Sequence, residues 1–210
     1  MQRRAFLAAV AAALPLLAAC SSGGPTRDVL AQQLTSELMG RPPCFATNVA
    51  FPYTRRDTVR PTEDLLASLP ELVALQDAGL VTLTQKGVGL FRYKPIIQTT
   101  AELTDLGRSA YHPHLPGLVT ATPGFCGGQR QLGEVRQFTA PDDSAGIKVT
   151  DVEYTFRTSG LPSWMKNTRL RSQFLSVRNF VDAEQTPASS HSRFEHTAQG
   201  WLPSSKVPTH

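Results

Sequence analysis

The 210-residue chain reads as an α+β protein, with a helical N-terminal part followed by an antiparallel sheet carrying a packed helix. Three observations predict this class. Leucines recur at helical spacing, first at Leu30, Leu34 and Leu38 and again from Leu65 to Leu75. Beyond Gly128 the pattern becomes alternation, with Val152, Tyr154 and Phe156 on one side of one segment and Phe194 and Ala198 on one side of another. Between these regions Tyr111 to Gly128 is rich in proline and glycine and reads as a connecting loop.

The first element is not part of the fold. Arg3 and Arg4 precede a nearly continuous apolar run from Phe6 to Ala19, and small residues close it before Cys20. Charge, apolar core and small-residue cleavage site form the secretory pattern, so residues 1–19 read as a signal peptide. The run falls short of the ~20 residues a bilayer span needs, and Pro15 interrupts it. Leu17-Ala18-Ala19-Cys20 resembles the lipobox of bacterial lipoproteins. The resemblance implies a diacylglyceryl thioether on Cys20, cleavage before it and acylation, as with palmitate, of the freed amine. A soluble secreted protein cut near Ala19 is the plainer alternative. Arg3-Arg4-Ala5-Phe6-Leu7 also resembles the twin-arginine export signal, while a Sec signal needs only the positive charge, so both routes stay open. Ser21, in place of an aspartate that would favour inner-membrane retention, points to the outer membrane facing the periplasm if the cell is Gram-negative.

Residues 20–26 then form a lipidated tether, short and flexible by composition. Asp28 to Met39 is a helix ended by Gly40 and Pro42-Pro43. Cys44 to Pro52 is extended or irregular. Thr62-Glu63-Asp64 caps a helix bearing Leu65, Leu66 and Leu69, and Pro70 starts a second with Leu72, Val73 and Leu75 buried. Gly79 suits the left-handed stop. Leu80 to Leu83 is a strand, Gly87 and Gly89 punctuate a turn, and Leu90 to Gln98 returns as partner. Ala101 to Arg108 leads into a helical turn.

Leu69 to Val81, the hairpin and Glu102-Leu103-Thr104-Asp105-Leu106-Gly107-Arg108 together resemble the end of a bacterial winged-helix domain. The resemblance implies a winged-helix-like subdomain over 27–111, of shape only. DNA affinity rests on cationic phosphate contacts, and Pro70 to Ala78 holds Glu71 and Asp77 with no lysine or arginine.

The second subdomain spans 129–204. Leu132 to Thr139 is a strand, Pro141 to Gly146 a turn, and Ile147 to Thr158 the strongest strand, with a bulge near Thr150 or Asp151 where its apolar side switches. Leu161 to Trp164 enters a helix ending near Phe174 or Phe180. Pro187 to Ser190 is a turn, and Arg193 to Leu202 a final strand.

Composition restricts partners. The precursor holds 21 Lys+Arg against 17 Asp+Glu, and removing Arg3 and Arg4 leaves a net charge of +2. Arg55-Arg56 and the Arg169/Arg171 pair read as solvated faces, so no nucleic-acid partner is expected. With Cys20 lipidated, Cys44 and Cys126 are two thiols in an oxidising compartment and read as a disulfide, with a reactive Cys126 in Gly124-Phe125-Cys126-Gly127-Gly128 as the alternative.

Candidate chemistry is sparse. His112 and His114, with His191 and His196, have metal-binding side chains but read as unligated loop histidines. Asp142-Asp143 suits a turn, and Asp151 with Glu153 suits a solvent face. Trp164 and Trp201 are candidates for lining a peptide or glycan groove, against the commoner role of core anchors. No nucleophile elbow, phosphate loop, zinc-protease helix or dinucleotide fingerprint occurs. No catalytic residue, cofactor or metal is therefore expected. The chain is expected to be a lipid-anchored envelope module that binds a protein partner or supports envelope assembly, with a periplasmic hydrolase as the competing class.

Overall fold

A computed structural model describes residues 24–58, 65–116, 120–143 and 146–207. The expected signal peptide over 1–19, Cys20 and the expected Thr62-Glu63-Asp64 cap lie outside the described residues. In chain order the first half holds α1 (Arg27–Met39), β1 (Cys44–Ala46), β2 (Tyr53–Thr58), a 3₁₀ turn (Leu65–Ser68), α2 (Pro70–Asp77), β3 (Val81–Phe91) and β4 (Lys94–Leu103). It continues with α3 (Asp105–Ala110), β5 (Tyr111–His112) and β6 (Gly124–Cys126). The second half holds β7 (Gln129–Phe138), β8 (Val149–Ser159), a 3₁₀ turn (Ser163–Lys166), α4 (Thr168–Gln173), α5 (Leu175–Gln185), β9 (Ala188–Thr197) and β10 (Gly200–Pro203).

The strands form three sheets, in the orders β1-β6-β5, β2-β4-β3 and β10-β9-β8-β7, and every pairing is antiparallel. This overturns the expected helical N-terminal part. Two of the three sheets belong to the first half, and the fold is mixed α/β with few helices. The local series of α2, hairpin and α3 is present, but β2 adds a third strand to the hairpin. The first helix joins neither of these sheets.

Instead α1 lies across the four-stranded sheet. Thr26 caps it by accepting from the Val29 amide at 3.3 Å. Its buried Leu30, Leu34 and Leu38 meet Val135, Val152, Tyr154, Phe194 and Trp201. A helix this short is marginal alone, and each fully buried leucine is worth about 2 kcal/mol relative to exposure. The tertiary face therefore holds it. The body begins before the helix: Pro25 is buried, and a Cβ on Gly24 would meet the Pro141 ring at 2.8 Å. The last residues of the expected tether are thus packed.

A second core joins both halves of the chain. Phe45 of β1 lies at its centre, with ring centres 5.7 Å from Phe125, 4.6 Å from Phe174 and 6.2 Å from Trp164. Leu72, Leu75 and Leu80 surround it from one half, and Met165, Leu170 and Val177 from the other. Asn167 links the halves through polar groups. Its side chain accepts from the Leu170 amide at 3.0 Å, capping α4, and donates to the Asp77 carbonyl at 3.1 Å. Arg130 joins α5 to the sheet, its guanidinium 5.6 Å and 5.0 Å from the ring centres of Phe156 and Phe180. Burial there holds its pKa below the ordinary value.

Cys44 and Cys126 are bonded as expected, facing each other across β1 and β6 with Cα atoms 4.1 Å apart. Other details differ. The expected loop from Tyr111 to Gly128 contains β5 and β6. The expected helix after Leu161 is broken into a 3₁₀ turn, α4 and α5, and the expected turn at Pro187 to Ser190 runs into β9. The irregularity expected in β8 lies in its neighbour, where register shifts at Leu132/Val135 and Val135/Gln137. Thr155 fills that bulge: its hydroxyl accepts from the Glu134 amide at 3.1 Å, where a Cβ on Gly133 would clash with it.

Candidate functional site

The most distinctive surface is the arm formed by β3 and β4. Its base is clasped tightly. Gly79, at φ +76°, turns the chain out of α2. The Thr104 hydroxyl donates to the Gly79 carbonyl at 2.7 Å and accepts from the Gly107 amide at 2.9 Å, which caps α3. The Thr104 amide donates to the Leu80 carbonyl at 3.0 Å. A Cβ on Gly107 would lie 1.9 Å from that carbonyl oxygen, so only glycine fits. The segments Leu69 to Val81 and Glu102 to Arg108, expected to end a winged-helix-like subdomain, supply this clasp in a sheet-rich half instead.

From the clasp β3 runs outward as an edge strand, paired among the described residues to β4 on one side only. Edge strands expose unpaired backbone groups, and proteins blunt them with charge, bulges, proline or shortness. The other long edges show such devices. Arg55 and Arg56 lie in β2, β7 is interrupted by two register shifts, and β10 has four residues ending in Pro203. The proximal part of β3, Val81-Thr82-Leu83-Thr84-Gln85, carries no charge and no irregularity, and Thr82 and Thr84 are exposed. Beyond it Lys86 and a register shift between Gly87 and Gly89 interrupt the edge.

The arm continues past its third strand. Thr58 of β2 pairs with Ile96, and among the described residues the tip from Gly89 to Pro95 has two strands. It turns at Arg92 and Tyr93, with φ of 47° and 65°. The turn expected at Gly87 and Gly89 lies instead at Arg92-Tyr93, which makes the arm longer than the sequence suggests. The available signal was the stretch 78–101, which holds aromatic and cationic residues and no acid.

The predicted site residues are dispersed. Trp164 lies in the core shared by the two halves, and Trp201 in the core under α1 with its ring 5.2 Å from that of His196. Both are nearly fully buried, in separate clusters, and they line no common groove. Asp151 and Glu153 lie on the exposed face of the four-stranded sheet. Asp151 accepts two bonds from Arg193, at 2.9 and 3.1 Å, and this partner holds its carboxyl below the usual carboxylate range. Glu153 accepts from Gln137 at 2.7 Å and faces His191 across β8 and β9. His112 is in β5 and His114 in the following turn, on a different sheet from His191 and His196. Asp142 forms a bridge to Val149, in the expected turn region. Among the described residues no three His, Cys, Asp or Glu side chains converge as a metal site.

Open clefts mark the body among the described residues. One of about 440 Å³ lies between Leu66, Pro70, Val73 and Arg169; one of about 280 Å³ adjoins it at Pro70 and Gln173. A third, of about 460 Å³, lies under α5 beside Phe156 and Phe180. None of these three is lined by His112, His114, Asp151, Glu153, His191 or His196. No helix among the described residues is long and apolar enough to cross a membrane. Comparison with known proteins gives no relative: no family model, curated protein sequence or solved structure matches this chain.

Proposed function

We propose that the protein is a lipid-anchored envelope module, held through Cys20, that works by binding a protein partner rather than by catalysis. The observation that carries this reading is the uncharged, regular outer edge of β3 from Val81 to Gln85, set against the blunted edges elsewhere. An extended partner segment added there gains backbone hydrogen bonds along the edge. The clasp at Gly79, Thr104 and Gly107 supports the same reading, because it fixes the strand's direction and so its entropy before the partner arrives.

Charging the edge tests the proposal. The exposed pair Thr82→Lys/Thr84→Lys leaves the cores untouched and opposes strand addition. In mild-detergent extracts of the native envelope the full chain is expected to migrate as a complex larger than the monomer. The double variant is expected to melt within a few degrees of the parent and to migrate as a monomer. Equal migration of the two chains would contradict the reading.

A further inference from the structure

The far end of the arm has a different chemistry from its base. Val88 is 42 %, Leu90 72 %, Phe91 54 % and Tyr93 98 % exposed. The other large apolar side chains exposed among the described residues (Val29, Met39, Leu106, Ile147 and Leu175) are spread along the chain, whereas these four fall within six consecutive positions. Lys86, Arg92 and Lys94 flank them, and no ion pair to a carboxylate is formed by any of the three among the described residues. The one acid on the adjoining β2, Asp57, is held by Arg55 at 2.7 Å. Arg92 lies 5.3 Å from the centre of the Phe91 ring.

The arrangement is apolar on both sides. Leu90 and Phe91 are consecutive in a strand, so their side chains leave by opposite faces. A surface that docks on another protein concentrates its apolar groups on one face. The tip, two-stranded among the described residues, presents them on both faces with an aromatic in the turn, which suits immersion in a medium that is apolar on every side. The turn sharpens the point. Two-residue hairpin turns of this hand favour asparagine and glycine, and here Arg92 and Tyr93 hold the left-handed positions instead.

We propose that the β3–β4 tip inserts into the interfacial region of an anionic lipid bilayer. Leu90, Phe91 and Tyr93 enter the boundary between headgroups and acyl chains, and Lys86, Arg92 and Lys94 meet lipid phosphates. The inference rests on the envelope address proposed above, since the tip needs a membrane within reach. A second point of attachment would fix the orientation of the body and of the β3 edge relative to the bilayer.

The test uses the full chain carrying Cys20→Ser, so that no acyl group contributes, with Tyr93→Trp as a reporter. Trp164 and Trp201 are buried and give a background that the Cys20→Ser parent supplies. Vesicles of phosphatidylglycerol with phosphatidylethanolamine are compared with vesicles of phosphatidylcholine, each with brominated acyl chains. The reporter at position 93 is expected to shift to the blue and be quenched by the anionic vesicles. Adding Lys86→Gln/Lys94→Gln is expected to weaken that response about 30-fold, from roughly one kilocalorie per mole for each basic residue. Adding Leu90→Ser/Phe91→Ser is expected to abolish it. Vesicle binding without quenching of the reporter, as the signal segment alone would produce, overturns the proposal. So does a reporter that responds only when envelope proteins are added, which would give the tip a protein partner. Failure of the lipid anchor itself would show separately, as wild-type chain that takes up no labelled palmitate.

Discussion

Removing the disulfide by Cys44→Ala/Cys126→Ala is expected to destabilise the protein through its unfolded state. The bond links residues 82 positions apart, for which the chain-entropy relation gives about 4.5 kcal/mol. The folded geometry does not depend on the bond alone. Phe45 stacks on Phe125, the Thr47 amide donates to Pro123 O at 2.9 Å, and the Gly127 amide donates to Pro43 O at 3.0 Å. These contacts keep β1 beside β6, so the native state changes little while the unfolded chain gains freedom. Residual structure in the unfolded chain lowers the net loss to about 2–4 kcal/mol. With a urea slope of about 2 kcal/mol per molar, the midpoint falls by about 1–2 M. Urea unfolding followed by tryptophan fluorescence reads this directly, because Trp164 lies in the core beside Phe45. A fall under about 0.5 M, taking the same slope, would refute the argument. Two free thiols in denatured, unreduced wild-type protein would remove its premise.

Three further outcomes follow. Gly107→Ala would ordinarily favour a helix by about 1 kcal/mol, but its Cβ would lie 1.9 Å from the Leu80 carbonyl oxygen. A net loss of about 2 kcal/mol is expected, read from thermal or urea unfolding, and a stabilised variant would contradict the clasp. Arg193 lowers the Asp151 pKa, so the pair's stabilisation is present above the unfolded carboxylate value and is lost as pH falls through the lower folded value. The pair is exposed, and solvent screens it so that it adds little to stability. Asp151→Asn should therefore flatten the acid limb of the stability curve slightly and leave neutral-pH stability nearly unchanged, and a large loss at pH 7 would contradict this. Labelled palmitate should enter wild-type protein and not Cys20→Ser, and equal labelling would remove the anchor.

Regular periodicity made part of the fold legible. The leucines of α1 and α2, the alternation of β8 and the two thiols left after Cys20 all marked elements that form. The failures share a cause: position was set by contacts that composition does not display. β1, β5 and β6 have two or three residues each and are held by the disulfide and the Phe45 cluster rather than by a pattern. Thr150 looked like a break in the apolar side of β8, yet it is buried and its hydroxyl donates to the Thr139 carbonyl at 2.8 Å, keeping the alternation intact. Asn167 read as a helix interior residue but caps α4. The arm was hidden because Gly87 and Gly89 carry turn chemistry and Arg92-Tyr93 does not, while the reverse is realised. The leucine stripe of α1 marked a buried face but not which sheet it covers.

The β3 edge is tested most directly by a photo-cross-linking scan in the native envelope. A photoreactive residue is placed in turn at Thr54 on β2, Thr84 on β3, Gln131 on β7 and Leu202 on β10, one for each long or terminal edge. The account predicts a discrete protein adduct from Thr84 that disappears with Thr82→Lys. A silent Thr84 beside a strong adduct from any other edge would contradict it.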